Sequence, residues 1–80
     1  MSLQFPVSVN RMKISARNVF PGTVKSIQDG TVYSEVVVEI SPGLEIVATV
    51  TKGSKDALGI EIGKPAHAII KASNVMLGVD

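Results

Sequence analysis

The sequence predicts an all-β fold, a single small barrel of five strands with one short helix before the last long strand. Apolar and polar residues alternate with a period of two through the middle of the chain, which is typical of strands. Short stretches containing glycine or proline separate these alternating segments and indicate tight turns. The length of 80 residues leaves room for one domain.

The first two strands are predicted at residues 13–20 and 23–28. Pro21 and Gly22 are predicted to close the first strand, because proline and glycine commonly interrupt regular structure. Asp29 and Gly30 form a turn dipeptide after the second strand, where glycine supplies a positive φ without steric cost.

The third and fourth strands, at residues 31–40 and 44–51, are joined by a hairpin loop at residues 41–43. Side chains alternate across a strand, so the even positions share one face and odd positions such as Glu35 and Glu39 share the other. The even face is the predicted interior face: Val32, Ser34, Val36, Val38, Ile40, Leu44, Ile46, Ala48 and Val50.

A helical turn is predicted at residues 54–58, with Ser54 as N-cap, Asp56 in the first turn and Gly59 as the end. The last long strand is predicted at residues 66–72, after a turn at residues 63–65. The strand count, the glycine-rich turns and a short helix before the final strand resemble an OB-type barrel.

Composition excludes several classes of function. The charged residues are scattered and the net charge is +1, so a basic nucleic-acid stripe is not indicated. The chain has no cysteine, which fits a cytoplasmic location, and no apolar run long enough to cross a bilayer.

Because the chain has no cysteine, disulfides cannot stabilise this small fold. Since 45% of the residues are also hydrophobic, we expect the chain to be stabilised by oligomerisation. Residues 1–11 are predicted to form an N-terminal arm, either a disordered tail or an added strand.

No enzyme site is indicated. Glu35 and Glu39 lie two pleats apart, about 13 Å along a strand, which is too far for a working carboxylate pair. His67 is the only histidine, so an imidazole-based metal site is excluded, and we expect a partly exposed strand residue. No glycine-rich phosphate-binding motif is present.

Small hydroxyls and cations recur at a spacing of two. Ser15 precedes Arg17 and Lys71 precedes Ser73 at this spacing, so on a strand each pair would project to one side. Thr51 and Ser54 add hydroxyls at the predicted helix start. One arginine and one lysine would balance a divalent oxyanion, and hydroxyls would bond its oxygens.

The odd face that carries these polar residues also carries Val19, Val47 and Ile69, so it cannot be the barrel interior. A mixed apolar and cationic outer face predicts a subunit interface that contains a ligand.

Several stretches resemble the Mop or molbindin domain, a TOBE-type molybdate-binding module. They are MKISARN at residues 12–18, FPGTV at 20–24, EVVVEI at 35–40 and IKAS at 70–73. The resemblance covers residues 12–80, which would form a single domain. It implies an OB-like barrel that binds molybdate or tungstate and does not catalyse a reaction.

The resemblance also implies a shared site and an assembly. Ser15 and Arg17 would bind the oxyanion from one subunit, and Thr51, Ser54 and Lys71 would contribute from a neighbour. The further members would be Ala72, through its backbone, and Ser73. The resemblance implies a homohexamer, a trimer of dimers, with sites at the interfaces.

The first functional hypothesis is an intracellular store or buffer for molybdate or tungstate, because the chain is a single module. The alternative is an assembly or regulatory module for a molybdate transporter or regulator. A single-strand nucleic-acid binder is disfavoured, since only Phe5, Phe20 and Tyr33 could stack on bases.

Overall fold

A computed structural model describes residues 13–80 of the chain; the arm predicted at residues 1–11 lies outside the described residues. The described part contains four strands, one helix and one 3-10 turn. The elements in chain order are β1 (Asn18–Asp29), β2 (Tyr33–Ser41), β3 (Leu44–Thr51), α1 (Lys52–Leu58), β4 (Pro65–Ile70) and the 3-10 turn Ala72–Asn74.

The four strands form one antiparallel sheet in the order β3-β2-β1-β4. β1 is shared between two neighbours: its first half pairs with β4, from Asn18 opposite Ile70, and its second half pairs with β2, up to Asp29 opposite Ser34. The sheet therefore curls as a half-barrel whose outer strands are β3 and β4. The prediction of a mainly β fold with one short helix is confirmed.

The core lies on the face predicted from the alternation, although Val32 and Leu44 of that face are exposed. Val24, Val36 and Val38 are buried, and Ile27, Ile40, Val50, Ile60 and Ala66 pack against them. In β2 the even positions 34, 36 and 38 are the buried ones, while Glu35 is exposed. Period-two patterning therefore identified the interior side of this strand correctly.

The count of five strands is not confirmed, because the residues predicted as the first two strands form the single strand β1. Pro21 does not interrupt it. At Pro21, β1 pairs only with β4, because pairing with β2 begins at Thr23. The edge of β1 that faces away from β4 is therefore open at Pro21, and a missing backbone N–H is tolerated there. Residues 13–17, predicted as strand, lie outside β1.

The helix begins earlier than predicted. Thr51, at the extended end of β3, is the N-cap: its side chain accepts a hydrogen bond from the backbone N–H of Ser54 at 3.1 Å. Ser54 is therefore inside α1, and Asp56 is not in the first turn. The predicted end is confirmed, because Gly59 adopts a left-handed conformation with φ 68°. The last strand ends at Ile70, and Ala72 belongs to the 3-10 turn.

A polar cluster connects α1 to the start of the hairpin. Ser34 is fully buried, and its hydroxyl donates to Asp29, whose carboxylate also accepts from Lys55 Nζ at 2.9 Å and 3.2 Å. The Ser34 hydroxyl, and then Lys55, lower the pKa of Asp29 below its ordinary value of 3.8. The ionised carboxylate is therefore stabilised by folding.

We expect Asp29→Asn to lower the thermal unfolding temperature at neutral pH. A carboxyl whose pKa is lowered in the folded state contributes stability above its unfolded pKa of 3.8, and this contribution is lost as the pH falls through the folded pKa. The difference between wild type and Asp29→Asn should therefore shrink below about pH 4. Thermal unfolding from pH 3 to pH 7 measures it, and a difference that does not change with pH would contradict it.

Candidate functional site

A shallow cleft of about 650 Å³ lies between the segment that precedes β1 and the segment that follows β4. The pairing of Asn18 with Ile70 brings these two segments together, although they are far apart in the chain. The cleft is lined by Ile14, Ser15, Ala16, Arg17, Ile69, Lys71, Ala72, Ser73 and Asn74. Five of the seven predicted binding residues therefore share one cleft of a single chain.

Hydrogen bonds fix the two segments that form the walls of the cleft. The side-chain amide of Asn18 donates to the carbonyl oxygen of Ile70 at 3.2 Å and connects the start of β1 to the end of β4. Lys71 is extended, and the backbone N–H of Asn74 donates to its carbonyl oxygen at 2.8 Å. The predicted placement of Ser15, Arg17, Lys71 and Ser73 within strands is therefore wrong, because all four lie on segments that flank strands.

The charge of this cleft is positive. Arg17 and Lys71 both line it, and no acidic residue among residues 13–80 does. Within residues 13–80 the ion pairs are those of Lys25 with Glu45 and of Lys55 with Asp29 and Asp56, so neither cleft cation forms one there. Two cations without a neighbouring carboxylate favour a divalent anion.

The other polar side chains of the cleft can each donate a hydrogen bond. Ser15 and Ser73 present hydroxyls, and Asn74 presents a side-chain amide. All three residues are exposed, as are Arg17 and Lys71. The cleft of one chain is therefore an open surface that another surface would have to cover to exclude water.

Thr51 and Ser54 lie apart from this cleft. Thr51 pairs with Tyr33 at the end of the sheet where β1 finishes at Asp29, whereas the cleft lies beyond Asn18 at the start of β1. The hydroxyl of Thr51 donates to the Ser54 hydroxyl at 2.8 Å, and the backbone N–H of Ser54 donates to the Thr51 hydroxyl. A single chain therefore does not bring these hydroxyls to Arg17. The resemblance assigned Lys71 to the neighbouring subunit together with them, but in one chain Lys71 lines the same cleft as Arg17.

Two asparagines were missed by the reasoning from sequence. Asn18 positions the cleft through its bond to Ile70, and Asn74 lines the cleft directly. Both are adjacent to predicted residues, since Asn18 follows Arg17 and Asn74 follows Ser73. An asparagine side chain can both donate and accept hydrogen bonds, and this property could have marked both residues as candidates.

Residues 13–80 contain neither a cluster of metal-ligating side chains nor a membrane-spanning helix. No group of three or more histidine, cysteine, aspartate or glutamate side chains is arranged to hold a metal ion there. Among the same residues, no helix has the length and apolar character required to span a membrane.

Comparison with known proteins points to one family. Residues 14–77 match the TOBE domain. The chain is 46% identical over 69 residues to a probable molybdenum-pterin-binding protein of Haemophilus influenzae, covering 86% of this chain and all of that protein.

Two solved structures share the fold. MopII of Clostridium pasteurianum superposes with a TM-score of 0.79 at 36% identity, over 84% of this chain and all of MopII. The cytoplasmic molybdate-binding protein ModG, crystallised with molybdate bound, superposes with a TM-score of 0.83 at 46% identity. That match covers 89% of this chain and 50% of ModG, so the chain spans half the length of that protein.

Proposed function

This chain belongs to the TOBE-domain family, and from that premise we propose that it binds molybdate in the cleft between residues 14–17 and 71–74. The observation that carries this assignment is the charge of the cleft: Arg17 and Lys71 both line it, and no acidic residue in the described part of the chain does. The chain is similar over most of its length to proteins named for binding molybdenum-pterin or molybdate. Molybdate is the ligand, and tungstate, with the same charge and shape, is the expected substitute.

The donor set of the cleft fits a tetrahedral dianion. Arg17 offers a planar fork of N–H donors and Lys71 a compact positive charge. The hydroxyls of Ser15 and Ser73 and the backbone N–H of Ala72 would supply directional bonds to the remaining oxygens. Protonated phosphate would be disfavoured where its proton finds no acceptor.

The complete site is proposed to form between copies of the chain. The cleft residues are exposed in one copy, so another copy must cover the anion to remove it from water. Thr51 and Ser54, which are also exposed, would come from the neighbouring copy. The assembly would be a homohexamer built as a trimer of dimers, in keeping with the family resemblance.

The role that follows is cytoplasmic storage or homeostasis of the oxyanion, without catalysis. An anion held between copies stabilises the assembled state, because it binds the assembly and not the separate chains. Bound molybdate would then shift the equilibrium between separate and assembled chains toward the assembly.

Calorimetry with molybdate, combined with thermal unfolding, tests the proposal. A ligand present at 100 times its dissociation constant stabilises the bound state by about 2.7 kcal/mol. For a domain of this size, the unfolding temperature should rise by about 10–20 °C. Tungstate should act similarly and chloride should not. No heat of binding at micromolar protein, with the oligomer intact, would reject the proposal and leave the assembly or regulatory role.

A further inference from the structure

Helix α1 is held in place by polar contacts and not by a buried apolar face. It has seven residues, none of them fully buried, and a helix of this length is not stable without contacts to the rest of the fold. Its start is joined to the β1–β2 turn by the backbone N–H of Lys52, which donates to the carbonyl oxygen of Val32 at 2.9 Å. The direction in which α1 leaves β3 therefore depends on a few bonds.

One ion pair, between Lys55 and Asp29, links a side chain of α1 to the sheet. Apart from the bonds between Ser54 and its cap Thr51, the side-chain hydrogen bonds from α1 to the sheet within residues 13–80 are those of Lys55. The Lys55 side chain is only 13% exposed, although lysines are ordinarily solvated. The buried hydroxyl of Ser34 donates to the same carboxylate and fixes its position. Asp29 therefore connects α1 to the core side of β2.

The two hydroxyls at the start of α1 leave one hydrogen available to an outside acceptor. The Thr51 oxygen accepts from the backbone N–H of Ser54, and the Thr51 O–H donates to the Ser54 hydroxyl. The Ser54 hydroxyl is exposed and donates to no group among residues 13–80, so its own hydrogen remains available. A hydroxyl that already accepts a hydrogen bond is polarised into a stronger donor. Ser54 is therefore the outward donor of this pair, and Thr51 acts through it.

We propose that Asp29 is a positioning residue for the oxyanion site: through Lys55 it fixes α1 so that the Ser54 hydroxyl is aimed at an anion held by a neighbouring copy. This inference rests on the proposed function, in which Thr51 and Ser54 complete the cleft of another copy. Without the ion pair, α1 would be free to turn about its junction with β3, and the Ser54 donor would lose alignment with the anion. Hydrogen bonds weaken steeply with misalignment, so the loss appears in the affinity.

Asp29→Asn is expected to weaken molybdate binding by about threefold to tenfold at neutral pH, measured by calorimetry below the unfolding temperature of the variant. The substitution removes a negative charge, which by itself would strengthen the binding of an anion, so a weaker affinity identifies positioning. Lys55→Met should give a similar loss, whereas Lys55→Arg, which keeps the ion pair, should retain most of the affinity. Unchanged or tighter binding by Asp29→Asn would overturn the inference.

A double-variant cycle with Ser54→Ala tests whether Asp29 acts through Ser54. Ser54→Ala removes the donor but leaves the N-cap in place, because Thr51 accepts from the backbone N–H of residue 54. In the Ser54→Ala background, adding Asp29→Asn should weaken binding by less than about twofold more. A further loss as large as that of Asp29→Asn alone would place the action of Asp29 elsewhere in the protein and would overturn the inference.

Two further variants supply the control and separate this inference from the proposed function. Lys25→Met breaks the ion pair with Glu45, which lies at the far end of β3 from α1, and should change the affinity by less than about twofold. Arg17→Ala tests the cleft itself. If Arg17→Ala loses affinity and Ser54→Ala does not, the cleft stands and only the positioning role of Asp29 is overturned. If the wild type does not bind molybdate, both proposals fall.

Discussion

Replacing Arg17 with alanine is expected to weaken molybdate binding by about 10- to 150-fold while leaving the unfolding temperature of the ligand-free protein nearly unchanged. The guanidinium lines the cleft without an ion-pair partner among residues 13–80, so its removal leaves no carboxylate unpaired. Hydrogen bonds to charged groups are the stronger class, and Arg17 would donate more than one to the anion. Lys71→Ala should lose affinity in the same range. Calorimetric titration with molybdate measures both.

The matched control is Lys64→Ala, which removes an exposed positive charge outside the cleft. If bulk charge governed binding, this control would weaken affinity as much as Arg17→Ala does. Arg17→Lys separates charge from geometry: it keeps the positive charge but loses the planar fork, and an intermediate affinity is expected. Wild-type affinity in Arg17→Ala and Lys71→Ala would place the molybdate site elsewhere.

The elements that the sequence predicted well are those fixed by local pattern. The buried side of β2 follows from period-two alternation, and the end of α1 follows from the need for a left-handed residue, which Gly59 supplies. The N-cap was misplaced by three positions because Thr51 and Ser54 are both good caps. The choice between them depends on where β3 ends, and the pairing of Thr51 with Tyr33 determines that.

The arrangement of the cleft depends on contacts distant in sequence, so its chemistry was more predictable than its geometry. Ser15, Arg17, Lys71 and Ser73 were chosen as a set by residue type and spacing, and the structure brings them together. They meet because β1 and β4 pair from Asn18 and Ile70 onward, a register that local patterns do not encode. The same long-range pairing carries β1 through Pro21, where local signals favoured a turn.

Gly22→Ala is expected to destabilise the fold by about 1–3 kcal/mol, which corresponds to a fall in unfolding temperature of about 5–20 °C. A Cβ at this position would lie 2.6 Å from the carbonyl oxygen of Glu39 and 2.7 Å from Val38 Cγ1. Val38 belongs to the small buried core, so relieving the contact would displace β2 from β1. Glycine is required here by close approach of the two strands. Thermal or denaturant unfolding without ligand measures the loss.

Gly53→Ala provides the matched control, because a Cβ at Gly53 would meet nothing within 4 Å and the residue lies inside α1. Alanine is the better helix former, so this substitution should be neutral or stabilise by up to about 1 kcal/mol. Gly22→Ala should therefore lower the stability and Gly53→Ala should not, although each adds the same methyl group. If Gly22→Ala unfolds at the wild-type temperature, β1 and β2 do not cross as closely as the contact with Glu39 requires. The continuous path of β1 past Pro21, which joins the anion cleft to the core, would then need revision.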